Sequence, residues 1–161
     1  MATPPLAHRV HLFELQESRQ TLAQGIAEYF DANPGLLRGE QLSAEAREFF
    51  RSHDAAHVVF GCGLSLQHEA IVKISSLFGT TGGMSVLGGY RLHESVDIYR
   101  RLDHRAILFT AVSSVAIVPK TILRCLRQRK RWPWSAFASY MESPLSELRA
   151  EFGVCVAGHG S

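Results

Sequence analysis

The sequence has few cysteines and no apolar run long enough to cross a bilayer. Cys62, Cys125 and Cys155 lie far apart and form no CxxC pair, which argues against a disulfide scaffold and favours a reducing, cytoplasmic compartment. The apolar run from Ala106 to Val118 has thirteen residues, whereas a transmembrane helix needs about twenty. The N-terminus shows neither the apolar stretch of a signal peptide nor the composition of a transit peptide. We therefore expect no targeting segment.

Internal repeats, low-complexity linkers and alternating strand patterns are also missing. A chain of 161 residues can bury a sizeable core as one domain. Apolar residues recur instead at three- and four-residue steps, which is typical of helices. We expect an all-α, single-domain helical bundle over 1–156, followed by a flexible tail over 157–161.

Acidic residues are absent from Arg105 to Met141, a segment that holds seven Lys or Arg residues and is called the basic segment below. The net charge of the whole chain is only +2, so the positive charge is local, and we expect no binding to nucleic acid. Basic residues at helical spacing followed by tryptophans are typical of an interfacial membrane anchor. A solvated basic helix end is the alternative. The candidate membrane-binding residues are Lys120, Arg124, Arg127, Arg131, Trp132 and Trp134.

The predicted helices have recognisable beginnings and ends. Ser43 and Ser65 are suitable N-caps, and the glycines of the Gly61-Cys62-Gly63 turn allow the second and third helices to run antiparallel. The uncharged run Ser75 to Tyr90 is compatible with a groove for an isoprenoid chain or with a tightly packed core helix. The first predicted helix runs from Leu6, is interrupted by polar turns and stops at Asn33-Pro34-Gly35. The others cover Ala44–Phe60, Ser65–Tyr90, Arg105–Arg131 with a kink at Pro119, and a short segment from Pro144 that ends at Gly153.

Ionisable side chains interrupt the apolar stripe of the second helix. His53 and His57 are four residues apart and Asp54 and His57 three apart, so the three head groups project from one side of the helix. Glu69 lies about one turn after the Ser65 cap and can face His57. Such a set of imidazoles and carboxylates suits Zn²⁺, and also Fe²⁺ or Mn²⁺. The alternative is two satisfied core histidines, a surface aspartate and a glutamate that stabilises a helix start.

The spacing His53-Asp54-x-x-His57, eleven residues and Glu69 resembles the HDxxH-x11-E signature of the coenzyme Q biosynthesis protein 4 family. The segment from Pro144 to Val154 is similar to the closing segment of that family, and the resemblance covers about Gln41 to Val154. It implies an all-helical fold and peripheral association with the inner face of the cell membrane. It also implies a role in ubiquinone biosynthesis, as an oxidative decarboxylase at C1 of a polyprenylated hydroxybenzoate or as a scaffold for the other biosynthetic enzymes.

The resemblance makes His53, Asp54, His57 and Glu69 both the zinc ligands and the catalytic residues. Other quinone-biosynthesis enzymes, an isoprenoid lipid and a second copy in a homodimer are further expected partners. One alternative is a non-catalytic lipid-binding scaffold whose metal is structural. The other is an HD-type metal-dependent phosphohydrolase, which needs an additional upstream histidine and a distant aspartate. For these two positions the chain offers His11 and Asp97.

Overall fold

The computed structural model of the protein describes residues 10–36, 43–93 and 116–158, with the side chains of 91–93 excepted. In these ranges the chain is helical, with two isolated bridges and no strand, which confirms the all-α fold class. Three one-turn 3₁₀ helices accompany the α-helices, at Leu12–Glu14, Gly83–Ser85 and Phe137–Tyr140. The α-helices are α1 (Leu22–Ala32), α2 (Ala44–Val59), α3 (Leu66–Phe78), α4 (Val86–His93), α5 (described over 116–126) and α6 (Leu145–Phe152).

The two helices that carry the candidate site begin at the predicted serines. Ser43 Oγ accepts a hydrogen bond from Ala46 N at 3.2 Å, and Ser65 Oγ accepts one from His68 N at 3.2 Å. Between the helices Gly61 has a φ of +65°, which a residue with a side chain rarely adopts. The turn at this glycine packs α3 back against α2, as predicted.

The first helix is shorter than predicted. Thr21 Oγ1 accepts a hydrogen bond from Gln24 N at 3.2 Å, and the Gln24 side chain accepts one from Thr21 N at 3.0 Å. This reciprocal capping fixes the start of α1 at Leu22. The predicted helix from Leu6 is therefore wrong over 10–21, where the structure has one 3₁₀ turn. The predicted end at Asn33 is confirmed, since Asn33 is the C-cap.

The third helix is also shorter than predicted. It ends at Phe78, with Gly79 as the C-cap, and α4 begins only at Val86. Thr80 contributes to the break, because its Oγ1 donates to Ser76 O and accepts from Gly82 N. A threonine hydroxyl that bonds nearby backbone groups competes with the helical ladder. The uncharged run Ser75–Tyr90 is thus two helices joined by a turn.

The helix of the basic segment ends at residue 126, five residues before its predicted end. The chain then crosses the end of α3, where Trp132 N donates to Gly79 O and Thr81 N donates to Trp132 O, each at 2.8 Å. This pairing turns the side chain of Trp132 into the core, where it is 0 % exposed. The predicted kink at Pro119 depends on 105–115, which lie outside the described residues.

The last helix, α6, agrees with the prediction from the sequence. It ends at Gly153, whose φ is +70°, and a Cβ there would meet Arg129 N at 2.7 Å. Beyond it, Val156 is buried and Ala157 N donates to Phe60 O at 3.3 Å. Ala157 therefore belongs to the fold, and the predicted start of a flexible tail at 157 is wrong at this residue.

A buried arginine joins the N-terminal segment, α2 and α6. Arg149 Nε donates to Val59 O at 2.9 Å and Nη2 donates to Val58 O at 2.8 Å, in the last turn of α2, where carbonyl groups favour a cation. Further hydrogen bonds go to the carbonyls of Phe13 and Leu15. Burial lowers the pKa of Arg149 to about 10, so the guanidinium stays charged at neutral pH.

Candidate metal centre

Three of the four predicted ligands converge on one point between α2 and α3. His57 Nε2 lies 3.3 Å from Glu69 Oε1, and His53 Nε2 lies 3.9 Å from Glu69 Oε2. One donor atom from each of the three residues lies within 4.8 Å of the other two. Donor atoms around a tetrahedral zinc ion are about 3.3 Å apart, as its usual bond lengths require. A single cation is therefore within reach of all three side chains.

The two ring nitrogens of His57 have different surroundings. Nδ1 lies 3.1 Å from the carbonyl oxygen of Cys62 in the turn after α2. Because a carbonyl only accepts, this contact places a proton on Nδ1, so that Nε2 is the nitrogen of His57 at which a metal would bind.

Nε2 of His57 faces the carboxylate of Glu69 at 3.3 Å. Nε2 is buried and no hydrogen bond satisfies it, and an unpaired buried polar atom is costly. A cation held between Nε2 and the carboxylate would remove that cost. The residues present therefore fit a divalent metal.

The fourth predicted ligand, Asp54, does not join the other three. Asp54 Oδ1 lies 3.8 Å from Nδ1 of His53, whereas Nε2 of His53 is the nitrogen that faces Glu69. Successive residues of a helix are rotated by about 100°, so Asp54 leaves the stripe that His53 and His57 share. The structure thus corrects the predicted set of four ligands to three, with Asp54 beside the outer nitrogen of His53.

Aromatic rings enclose the cluster. The Tyr29 ring lies 5.1 Å from that of His57, and Phe49 is stacked on His53 at 6.1 Å. Tyr90 lies edge-on to His53 at 5.5 Å. The His57 side chain is 0 % exposed and that of Glu69 is 29 % exposed, so the centre is open to solvent on the Glu69 side.

The negative charge of Glu69 is maintained by its neighbours. Burial of the carboxyl favours its protonated form, but the adjacent His57, His53 and Lys73 outweigh that effect and lower the pKa of Glu69 below its usual value. Glu69 is therefore a carboxylate at neutral pH, which is the form that binds a metal.

Among the described residues, the Cys62 thiol and the other histidines supply no donor atom to the cluster. Burial raises the pKa of the Cys62 thiol, so it stays neutral, and this residue acts through its carbonyl. His68 Nδ1 accepts from Gly63 N at 2.8 Å within the turn. His11 lies 3.4 Å from Glu28 and is not part of the cluster. Asp97, His104 and the side chain of His93 are outside the described residues.

The candidate membrane-binding residues divide between surface and core. Lys120, Arg127 and Arg131 are exposed, whereas Arg124 is half-buried and donates to the carbonyl of Ala157 at 3.3 Å. Both tryptophans, at 132 and 134, are buried, so the prediction that they lie among lipid headgroups is wrong.

The helical pattern of the predicted membrane anchor also places Leu123 and Leu126 on its apolar face. Both side chains are exposed on α5, at 47 % and 68 %. In the part of the chain that the structure describes, no helix has the length and apolar character to span a membrane.

Sequence reasoning missed several parts of the centre. The Cys62 carbonyl and the rings of Tyr29, Phe49 and Tyr90 come together only in the folded chain, and no sequence signal identifies them. Lys73 is different, because its position four residues after Glu69 places it on the same face of α3.

Comparisons with known proteins give no relative of this chain. No family model matches it, and no curated protein or solved structure is found to be similar to it.

Proposed function

We propose that this chain is a metal-dependent enzyme of ubiquinone biosynthesis that removes the C1 carboxylate of a polyprenylated hydroxybenzoate. The metal, zinc in the first place and iron or manganese as alternatives, would be held by His53, His57 and Glu69. The observation that supports this proposal is the buried Nε2 of His57, which faces Glu69 without a hydrogen-bond partner. The pathway is proposed from the resemblance of the residue spacing to the coenzyme Q biosynthesis protein 4 family.

The chain orients the ligands and keeps water away from them. Cys62 O at Nδ1 of His57 and Asp54 at Nδ1 of His53 hold the two rings with Nε2 toward Glu69, as outer partners of metal-binding histidines do. Tyr29, Phe49 and Tyr90 exclude water from the histidines.

The chemistry would follow from the charge of the site. A bound divalent cation supplies positive charge for the carboxylate and for the anionic oxygen that develops on the ring. Loss of the carboxylate as CO₂ leaves an electron pair at C1, which takes up a proton. Replacement of the carboxyl by oxygen additionally requires O₂ as an electron acceptor.

The protein is proposed to act at the inner face of the cell membrane. Leu123 and Leu126 expose apolar side chains on α5, and the exposed cations Lys120, Arg127 and Arg131 lie on the same segment. Apolar side chains flanked by cations favour an anionic bilayer surface.

A non-catalytic scaffold for an isoprenoid lipid is the second candidate function. Met84 and Leu87 expose apolar side chains, and Leu87 lies one helical turn before Tyr90 at the wall of the centre. In a scaffold of this kind the metal would have a structural role only.

Complementation separates the two candidates. The full chain is expressed in a strain that lacks C1 decarboxylation, beside Glu69→Ala and the control Glu45→Ala, all at equal levels. Glu45 is an exposed glutamate in the first turn of α2, as Glu69 is in the first turn of α3. Enzyme function predicts rescue by wild type and Glu45→Ala only. Rescue by Glu69→Ala supports the scaffold, and no rescue by wild type contradicts the proposed pathway.

A further inference from the structure

We infer that Lys73 binds the carboxylate of the substrate beside the metal centre and is a specificity-determining residue of this site. The inference rests on the proposed function, since it takes an aromatic carboxylate as the ligand. Lys73 follows Glu69 by four residues on α3, and side chains at this spacing occupy one face of a helix. The half-exposed Lys73 thus lies on the helix face that carries a ligand of the centre.

Lys73 lies over Tyr90, one of the three aromatic rings that enclose the metal centre. Lys73 Nζ lies 5.4 Å from the centroid of the Tyr90 ring, and the same ring lies 5.5 Å from that of His53. A cation over an aromatic face is attracted by the ring. The Tyr90 ring is therefore a shared neighbour of the Lys73 ammonium group and of the His53 ring.

The charges around the centre favour an anionic ligand on this side. Glu69 is the one carboxylate among the three ligands, so a divalent cation would leave positive charge uncompensated. The centre is open on the Glu69 side, where an ammonium group can pair with an entering carboxylate as a charged hydrogen-bond donor.

The test compares two ligands that differ in charge. Binding of 4-hydroxybenzoate and of 4-hydroxybenzyl alcohol to the full chain is measured by ligand-observed NMR with equimolar zinc present. Wild type is expected to prefer the carboxylate by about tenfold, the effect of one charged hydrogen bond. Lys73→Met should reduce the preference to the part that zinc alone supplies, and Lys73→Arg should keep most of the wild-type preference.

Lys130→Met is the matched control. Lys130 also lies over an aromatic ring, at 5.8 Å from the centroid of Phe152, and pairs with Glu151 at 2.8 Å. It is outside the metal centre, so its replacement should leave the carboxylate preference unchanged.

Zinc content is measured on the same samples to separate the possible outcomes. An unchanged preference in Lys73→Met, or no preference in wild type, overturns the inference. A loss of zinc in Lys73→Met also overturns it, because Lys73 would then act through Glu69. Absence of zinc from wild type contradicts the proposed function, while the carboxylate preference still decides the role of Lys73.

Discussion

Each histidine of the centre has one ring nitrogen toward Glu69 and the other toward a different partner. For His57 that partner is the carbonyl of Cys62, and for His53 it is the carboxylate of Asp54. The residue spacing identified both histidines, but it could not show which nitrogen faces which group. It therefore assigned Asp54 to the ligands, whereas the rotation of α2 places it at the outer nitrogen of His53.

Arg149 has a large predicted effect on stability. Replacing it with methionine removes the donors for five backbone carbonyls, those of Phe13, Leu15, Gln16, Val58 and Val59. Each buried acceptor left without a donor costs about 1–3 kcal/mol. We expect Arg149→Met to lower the free energy of unfolding by at least about 3 kcal/mol, measured by urea denaturation.

The control for this prediction is Arg131→Met, because Arg131 is exposed. Its effect should stay within about 0.5 kcal/mol, as is usual for surface positions. Equal stabilities of the two variants would show that the hydrogen bonds of Arg149 do not hold the segments together.

At the scale of elements, α4 lies beside the aromatic residues of the centre. It carries two adjacent glycines, one in open space and one tightly packed. A Cβ at Gly88 meets no atom within 4 Å, whereas a Cβ at Gly89 would lie 2.1 Å from the ring of Phe49. Phe49 in turn is stacked on His53. Because residue 89 has no side chain beyond its Cα, the ring of Phe49 has room to stack on His53.

The two alanine variants are expected to change stability in opposite directions. Gly88→Ala should raise the free energy of unfolding by about 0.5–1 kcal/mol, because alanine is the better helix former. Gly89→Ala should lower it by about 1–3 kcal/mol, because the Phe49 ring must move. Urea denaturation of both variants measures the difference, and a stabilising Gly89→Ala would contradict the packing of α4 on α2.

The elements differ in how well the sequence predicted them. The caps at Ser43 and Ser65 and the end at Gly153 were predicted correctly, because a single side chain or a positive φ determines each of them. The break after Phe78 was missed, although the hydrogen bonds of Thr80 that contribute to it are local. The end of α5 was missed because the chain there pairs Trp132 with Gly79, residues 53 positions apart in a contact that no local pattern contains.

At the scale of the whole molecule, the basic segment has a core part and a surface part. The tryptophans stabilise the fold, and the leucines of α5 and the exposed cations of the basic segment remain for a partner. We expect the full chain to sediment with vesicles that contain anionic lipid and less with neutral vesicles, and salt to weaken this binding.

The double variant Leu123→Ser/Leu126→Ser tests this membrane surface. It should bind anionic vesicles more weakly, since each buried apolar side chain contributes about 1.5–3 kcal/mol when fully removed from water. Val10→Ser/Leu12→Ser is the control, because these residues are similarly exposed, at 61 % and 55 %, outside the basic segment. An equal loss in both variants would contradict a specific surface on α5.

The metal content of the purified full chain tests the central claim most directly. Wild type and Glu45→Gln, prepared without added metal and then dialysed against zinc, should each hold about one zinc per chain by elemental analysis, as three convergent ligands predict. Glu69→Gln and His57→Ala should hold far less, while far-ultraviolet circular dichroism shows that both remain helical. Zinc retained at one per chain in these two variants, or absent from wild type, would contradict a metal centre at His53, His57 and Glu69.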